Sequence, residues 1–310
     1  MVIQFIVIIF GLMLFEIISS VDNAVINAQV LGSVSARATK WFLTWGLLFA
    51  VFAVRGLLPL LVVFFANPAL GLEGAFTAAL SNDPVAATAL EASKPALLSG
   101  GGMYLLLLFI QWFLRENDHF AFDLERLARR SHTILFYALV GLVLEIVAFV
   151  AAGKINIVYG TAVGATAFFI SLIVKGKATT KSQTLVSQNS VGTDISKLVY
   201  LELLDCTFSI DGVLGAFAFT TAVPLILLGN GLGAMIVRQI TIRGIATVRK
   251  LPFLTNGAMY SVAALSIIML VEAIGKEVPF WLTPLITLFV VGYFTMRSLR
   301  PHPSHAKLTS

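Results

Sequence analysis

The chain has 310 residues, of which 58% are hydrophobic and only 12% are charged. Soluble domains carry about 25% charged residues, so this composition excludes an ordinary soluble protein and indicates an integral membrane protein. The formal net charge of +5 does not indicate nucleic-acid binding, because the basic residues flank apolar runs instead of forming one patch. Cys206 is the single cysteine, which excludes an intrachain disulfide.

Nine apolar runs are long enough to predict membrane-spanning helices, since about 20 helical residues cross a bilayer. The first run has no basic residue before it, so we interpret it as mature sequence and not as a secretory signal. We therefore expect an all-α polytopic membrane protein. In chain order the nine predicted spans are residues 2–31, 42–66, 99–114, 134–152, 155–174, 198–228, 230–248, 257–275 and 279–297.

Basic residues are concentrated in the connections that follow spans one, three, five, seven and nine. The alternate connections contain only Lys94, Lys154 and Lys276. Because basic residues are retained on the cytoplasmic side, we expect the N-terminus outside and the C-terminus in the cytoplasm, with the protein in the cytoplasmic (inner) membrane.

Two acidic motifs show that the chain contains a duplication. Residues 16–23 (Glu-Ile-Ile-Ser-Ser-Val-Asp-Asn) align with residues 205–212 (Asp-Cys-Thr-Phe-Ser-Ile-Asp-Gly), at an offset of 189 residues. In the same alignment Arg55-Gly56 corresponds to Arg243-Gly244, and Met103-Tyr104 corresponds to Met259-Tyr260. Five crossings separate the two copies, an odd number, so we predict an inverted three-helix repeat of the kind found in secondary transporters.

The repeat predicts four units along the chain. The first copy carries an insertion that we place in an outer loop at 67–98, and the connector contains a predicted surface helix at 117–132 and a polar cytoplasmic linker at 175–197. The predicted units are a first repeat at 1–116, a connector at 117–197, an inverted second repeat at 198–275, and a last span with a cytoplasmic tail at 276–310.

The acidic motifs predict a cation site at mid-depth in the membrane, because carboxylates there are costly unless they serve a function. We expect a break or tilt of spans one and six to bring the motif residues together. Carboxylate and carbonyl oxygens suit Mn²⁺, Ca²⁺ and Mg²⁺, whereas neither motif contains His, which argues against zinc or copper. The predicted metal ligands are Glu16, Asp22, Asn23, Glu202, Asp205 and Asp211, with Ser20 and Ser209 beside them.

Two arginines within the spans, Arg55 and Arg243, are predicted to neutralise these carboxylates when no cation is bound. The alternative is a purely structural ion pair that fixes helix register. Glu145 in the fourth span is either a proton carrier or a buried partner for Arg238. Gly100-Gly101-Gly102 indicates close helix packing or a helix break, because no phosphate-binding Lys-Ser/Thr pair follows it.

At these residues the chain resembles the TerC family of integral membrane proteins, within the LysE-like transporter superfamily. The resemblance rests on Glu16 to Asn23, on Tyr200 to Asp205 and on Phe208 to Val213, and the run from Ser209 to Phe217 is similar to an uncharacterised branch. It implies export of a divalent metal, chiefly manganese, with the motif acids as ligands, and a link to tellurite resistance. We expect the lipid bilayer, the transported cation and a proton counter-ion as partners, and no resident cofactor.

Three other classes compete with a metal exporter. An intramembrane aspartyl protease would also use two membrane aspartates, but it usually has Gly-x-Gly-Asp, whereas Ser209 and Ile210 precede Asp211. In a membrane scaffold that only binds other proteins, the buried acids would have no function. An exporter of basic amino acids is the closest competitor, and none of the favoured functions is enzymatic.

Overall fold

The computed structural model is all-helical in the part of the chain that it describes. That part comprises residues 2–20, 24, 27–28, 30–31, 34–46, 48–66, 68–80, 84–116, 122, 125, 133–187, 194–241 and 251–299. The α-helices are α1 (Val2–Ser19), α2 (Ala36–Trp41), α3 (Arg55–Ala66), α4 (Gly71–Leu80), α5 (Pro84–Gln111), α6 (Thr133–Val150), α7 (Ile155–Ser187), α8 (Asp194–Ala216), α9 (Val223–Gln239), α10 (Leu254–Ala273) and α11 (Leu282–Leu299). Three π-helical segments, Phe42–Gly46, Phe49–Val54 and Trp112–Glu116, lie between or after them.

Six helical segments among the described residues are long and apolar enough to cross a membrane. They are Val2–Ser19, Ala36–Phe65, Glu91–Arg115, Ile155–Gly176, Leu254–Ala273 and Leu282–Leu299. Of two shorter apolar helices, Ile134–Val150 matches the fourth predicted span, and Val223–Gln239 overlaps the seventh at residues 230–239. The sixth predicted span corresponds to α8, which carries the second acidic motif. The prediction of an all-α polytopic membrane protein is confirmed.

The sequence placed several helix ends wrongly. The predicted span 198–228 ends at Ala216, and α9 begins at Val223 because Pro224 suits the first turn of a helix. The predicted outer loop contains α4 and the first half of α5, which starts at Pro84. The predicted linker 175–197 is helical at both of its ends, within α7 and α8. The predicted surface helix 117–132 lies outside the described residues except for Phe122 and Glu125.

The predicted repeat pairs three helices of the first copy with three helices of the second. In the predicted repeat α1 corresponds to α8, α3 to α9, and α5 to α10. The first helix packs against α9 and α10, while its counterpart α8 packs against α3 and α5. The third helices of the two copies, α5 and α10, pack against each other.

Glycines allow α5 and α7 to approach closely. A β-carbon added at Gly100 would lie 2.9 Å from the carbonyl oxygen of Gly160, and one added at Gly164 would collide with the backbone of Gly100. Small residues at helix contacts are the usual means of close packing in membranes. The interpretation of the triple glycine as a packing surface is confirmed at Gly100.

Replacing Gly164 by alanine should destabilise the helix bundle. The added methyl group meets rigid backbone, and overpacking of this kind costs about 1–3 kcal/mol. Gly141→Ala in α6 is the matched control, because nothing lies within 4 Å of a β-carbon there. Thermal unfolding of the purified variants in detergent measures the difference. Equal melting temperatures for the two variants would contradict this packing.

Candidate buried charge site

Arg55 joins the two acidic motifs inside the bundle. Its Nη2 atom donates to Glu16 Oε1 at 2.6 Å, and its Nη1 atom lies 3.3 Å from Asp205 Oδ2. Glu16 and Asp205 occupy equivalent positions in the two copies of the motif. Arg55 is 3% exposed and Glu16 is 1% exposed, so the interaction is shielded from both lipid and water. One guanidinium therefore bridges equivalent acids of the two halves.

The position of Arg55 depends on an irregular stretch of helix. It follows directly after the π-helical segment Phe49–Val54 and begins α3. A π-helical turn contains an extra residue and shifts the side chains after it, and such turns are frequent at functional sites. Arg55 Nη1 also approaches the carbonyl oxygen of Ala50 at 3.4 Å, which is part of that segment.

A second arginine, Arg238 of α9, completes the network. Its Nη2 atom lies 3.5 Å from both carboxylate oxygens of Glu202 and 3.6 Å from Asp205 Oδ2. Its Nη1 atom donates to the carbonyl oxygen of Phe42, and its guanidinium carbon lies 3.9 Å from the centre of the Phe42 ring. We refer to Glu16, Arg55, Glu202, Asp205 and Arg238 as the buried charge site.

Small residues make room for the Glu16 side chain. A β-carbon at Gly212 would lie 2.7 Å from Glu16 Oε2, and one at Gly233 would lie 2.6 Å from Glu16 Cβ. Ser20 donates its hydroxyl to Glu16 Oε1 at 3.0 Å. Ser209 instead donates to the backbone carbonyl of Asp205 at 2.6 Å. Both predicted serines thus lie at the site, but only Ser20 contacts a carboxylate directly.

Asp211 lies in a different cluster, contrary to the expectation that it would join the other acids. It accepts a hydrogen bond from Tyr104 at 2.7 Å and pairs with Lys175 at 2.5 Å, while Tyr104 also contacts Ser171 at 2.8 Å. The predicted break is missing in this part of the chain, because α8 runs without interruption from Asp194 to Ala216. Six residues along a regular helix rotate a side chain about 240°, which directs Asp211 away from Asp205.

Several predictions are not met or fall outside the described residues. Asp22, Asn23 and Arg243 lie outside the part of the chain that the structure describes. Glu145 is exposed on α6, so its interpretation as a buried partner of Arg238 is wrong. Among the described residues no group of three His, Cys, Asp or Glu side chains converges closely enough to hold a metal ion.

Sequence reasoning missed Arg238 and Lys175 as members of these clusters. Arg238 stands alone in an apolar run, which marks it as a buried charge but does not reveal its partner. Lys175 begins the predicted cytoplasmic linker 175–197, and the structure places it on α7 beside Asp211. Long-range pairs of this kind depend on which helix faces meet, and one sequence does not encode that directly.

The fold and the buried charges define a polytopic helical membrane protein with ionisable groups packed between its helices. Residues 21–303 match the family described as "Protein of unknown function (DUF475)". This match covers most of the chain, so the chain belongs to that family. The family description does not name TerC, and that resemblance remains a prediction.

One curated relative is similar over a short region. It is the "Uncharacterized membrane protein YceF" of Bacillus subtilis (strain 168), 30% identical over 82 residues. The aligned region is 26% of this chain and 32% of the relative, so the chain spans about a third of that protein's length. No solved structure matches the chain.

Removing the Arg55 guanidinium should destabilise the protein strongly. Arg55→Met leaves Glu16 and Asp205 without this partner, and breaking a buried ion pair costs about 3–5 kcal/mol. Adding Glu16→Gln to Arg55→Met should restore part of the loss, because one buried charge is removed. Thermal unfolding in detergent measures both effects.

Arg37→Met is the matched control for this experiment, because Arg37 is exposed on α2. Its effect on the free energy of unfolding should stay within about 0.5 kcal/mol. If Arg55→Met unfolds at the same temperature as Arg37→Met, the bridge between the two motifs does not exist in the folded protein.

Proposed function

We propose that the protein is a secondary transporter that exports a divalent metal cation from the cytoplasm, with manganese as the first candidate. The cation would pass through the carboxylate-lined buried charge site near the middle of the membrane. The orientation we propose places the N-terminus outside and the C-terminus in the cytoplasm, and the proton is the proposed counter-ion.

The observation that carries the proposal is the Arg55 bridge between Glu16 and Asp205. Transporters built from inverted repeats bind their substrate where equivalent elements of the two halves meet. A charge network is expensive to bury, and a purely hydrophobic contact would hold two helices together at lower cost. A cationic substrate that replaces the Arg55 guanidinium as the positive partner of Glu16 and Asp205 would explain why these charges are buried.

In the proposed cycle Arg55 and the cation occupy the carboxylates in turn. Arrival of the cation gives Glu16 and Asp205 a doubly positive partner and frees the guanidinium. Release of the cation to the other side lets Arg55 return, so the empty site is never left with unpaired acids. This exchange couples occupancy of the site to the relative position of α1, α3 and α8, which carry the three side chains.

The chemistry of the donor atoms supports a hard divalent cation. Oxygen atoms of Glu16, Glu202 and Asp205 suit manganese, magnesium and calcium, and no His belongs to the site. These acids do not converge on one point in the structure, so they would have to move together around the cation. Asp22, Asn23 and Asp211 remain proposed ligands from the sequence. Asp211 would have to leave Lys175 before it served this role. The resemblance of the motifs to the TerC family favours manganese within this class.

Cation flux into proteoliposomes tests the proposal. Purified protein is reconstituted, and uptake of Mn²⁺, Ca²⁺, Mg²⁺, Zn²⁺ and lysine is compared, with a pH-sensitive dye inside the vesicles. We expect Mn²⁺ flux accompanied by proton movement. Glu16→Gln and Asp205→Asn should each lower this flux by more than about tenfold, because each removes a proposed ligand.

Glu277→Gln is the matched control, since it also neutralises a glutamate but lies exposed in the connection between α10 and α11. It should transport normally. Wild-type flux in both Glu16→Gln and Asp205→Asn would refute the site. Lysine flux without any metal flux would support the exporter of basic amino acids instead.

A further inference from the structure

Four side chains form a second polar group between α5, α7 and α8, apart from the buried charge site. The Lys175 ammonium lies 2.5 Å from Asp211 Oδ2, and the Tyr104 hydroxyl donates to Asp211 Oδ1 at 2.7 Å. Ser171 Oγ lies 2.8 Å from the same Tyr104 hydroxyl. We refer to Tyr104, Ser171, Lys175 and Asp211 as the Asp211 cluster. Transport through the buried charge site alone gives Lys175 no role.

The Asp211 cluster is easier to reach than the buried charge site. The side chains of Asp211 and Lys175 are each 16% exposed, whereas those of Arg55 and Glu16 are 3% and 1% exposed. Lys175 is also the residue before last in the apolar segment Ile155–Gly176, and it begins the linker that we place in the cytoplasm. A cation leaving the cytoplasm would therefore meet Asp211 before it reached Glu16.

One position of α8 joins the Asp211 cluster to the buried charge site. Gly212 follows Asp211 directly, and a β-carbon at Gly212 would lie 2.7 Å from Glu16 Oε2. Asp211 is thus one residue from the point where α8 packs against Glu16. The step from Asp211 to Glu16 therefore follows α8 past a residue that has no side chain.

Lys175 is a positive partner that another cation can replace. A lysine ammonium is a compact charge on a flexible chain of four carbons, and near the end of a membrane span such a chain can turn its charge to water. The Asp211 carboxylate that it leaves is a ligand that hard divalent cations accept together with water, and the Tyr104 hydroxyl adds a neutral oxygen beside it. Such a site is weak, as a step on a transport path requires.

We propose that Lys175 is a tethered competitor of the transported cation. Its ammonium holds Asp211 while no cation is present, and a cation that enters displaces the ammonium, binds Asp211 and then passes to Glu16. This role rests on the proposed function, which supplies the cation. It makes Lys175 a determinant of how strongly the protein binds cations. A purely structural ion pair between α7 and α8 is the alternative.

Binding of Mn²⁺ to the purified protein in detergent tests the proposal, with free Mn²⁺ measured by electron paramagnetic resonance. Lys175→Gln should strengthen binding at least about tenfold, because a site that is open in no more than about 10% of molecules loses that factor in apparent affinity. Lys175→Arg should keep the weaker wild-type affinity, since it retains the positive charge. Lys276→Gln is the matched control, because Lys276 is exposed between α10 and α11.

A double variant shows where the gained affinity arises. Asp211→Asn added to Lys175→Gln should remove the gain, because the carboxylate that the ammonium covered is gone. Elution in size-exclusion chromatography checks that each variant is folded.

The wild-type protein offers a measurement that depends on no variant. Saturating Mn²⁺ should speed acetylation of Lys175 by acetic anhydride, measured as peptide masses after digestion, because displacement from Asp211 exposes the amine. Acetylation of Lys276 in the same sample should not change.

Any of three results would overturn the proposal. They are an Mn²⁺ affinity that Lys175→Gln leaves unchanged, a gain that persists in the double variant, and acetylation of Lys175 that saturating Mn²⁺ does not alter. Manganese flux without any gain in Lys175→Gln would refute this inference and leave the transporter standing. A gain that needs Asp211, in a protein without manganese flux, would uphold the cation site at Asp211 and refute the transporter.

Discussion

The bridge that Arg55 makes between Glu16 and Asp205 is the interaction on which the rest of the molecule depends. Moving carboxylates and guanidinium groups out of water costs several kcal/mol per ion, and their attraction repays this only when geometry and hydrogen bonding are good. Here the geometry is supplied by a π-helical turn before Arg55, by Ser20 and by two glycines that make room for Glu16. The π-helical turn, the serine and the two glycines therefore all help to position the ion pairs that Arg55 makes with Glu16 and Asp205.

This contact also joins the helices that carry the two acidic motifs. α1 and α8 carry equivalent acids, and a single guanidinium from α3 holds both of them. Arg238 adds a second positive group, which lies between Asp205, Glu202 and the Phe42 ring. A cation that takes both Glu16 and Asp205 displaces Arg55 from both of these acids, and the carbonyl oxygen of Ala50, 3.4 Å from its Nη1 atom, is then the acceptor nearest to the freed guanidinium.

The membrane environment and the central acids could be predicted from sequence because their signals are local. Apolar runs of about 20 residues predict spanning helices, and Glu16, Asp205 and Arg55 stand out as charges within them. The duplication added the expectation that Glu16 and Asp205 are equivalent.

The remaining features could not be predicted, because they depend on helix rotation and on helix ends. The expected break would have directed Asp211 toward the other acids, but continuous α8 turns it toward Tyr104 and Lys175. The end of α8 at Ala216 lies within an apolar run, where composition gives no signal. The partners of Arg238 are Glu202, Asp205 and Phe42. They depend on which faces of the helices meet, and the sequence around Arg238 does not show this.

A structure determined with Mn²⁺ bound, from diffraction data recorded at the manganese absorption edge, tests the central claim most directly. Our account predicts an anomalous peak coordinated by carboxylate oxygens of Glu16 and Asp205, with the Arg55 guanidinium displaced from both. An Arg55 bridge that stays intact while manganese binds elsewhere in the protein would contradict it.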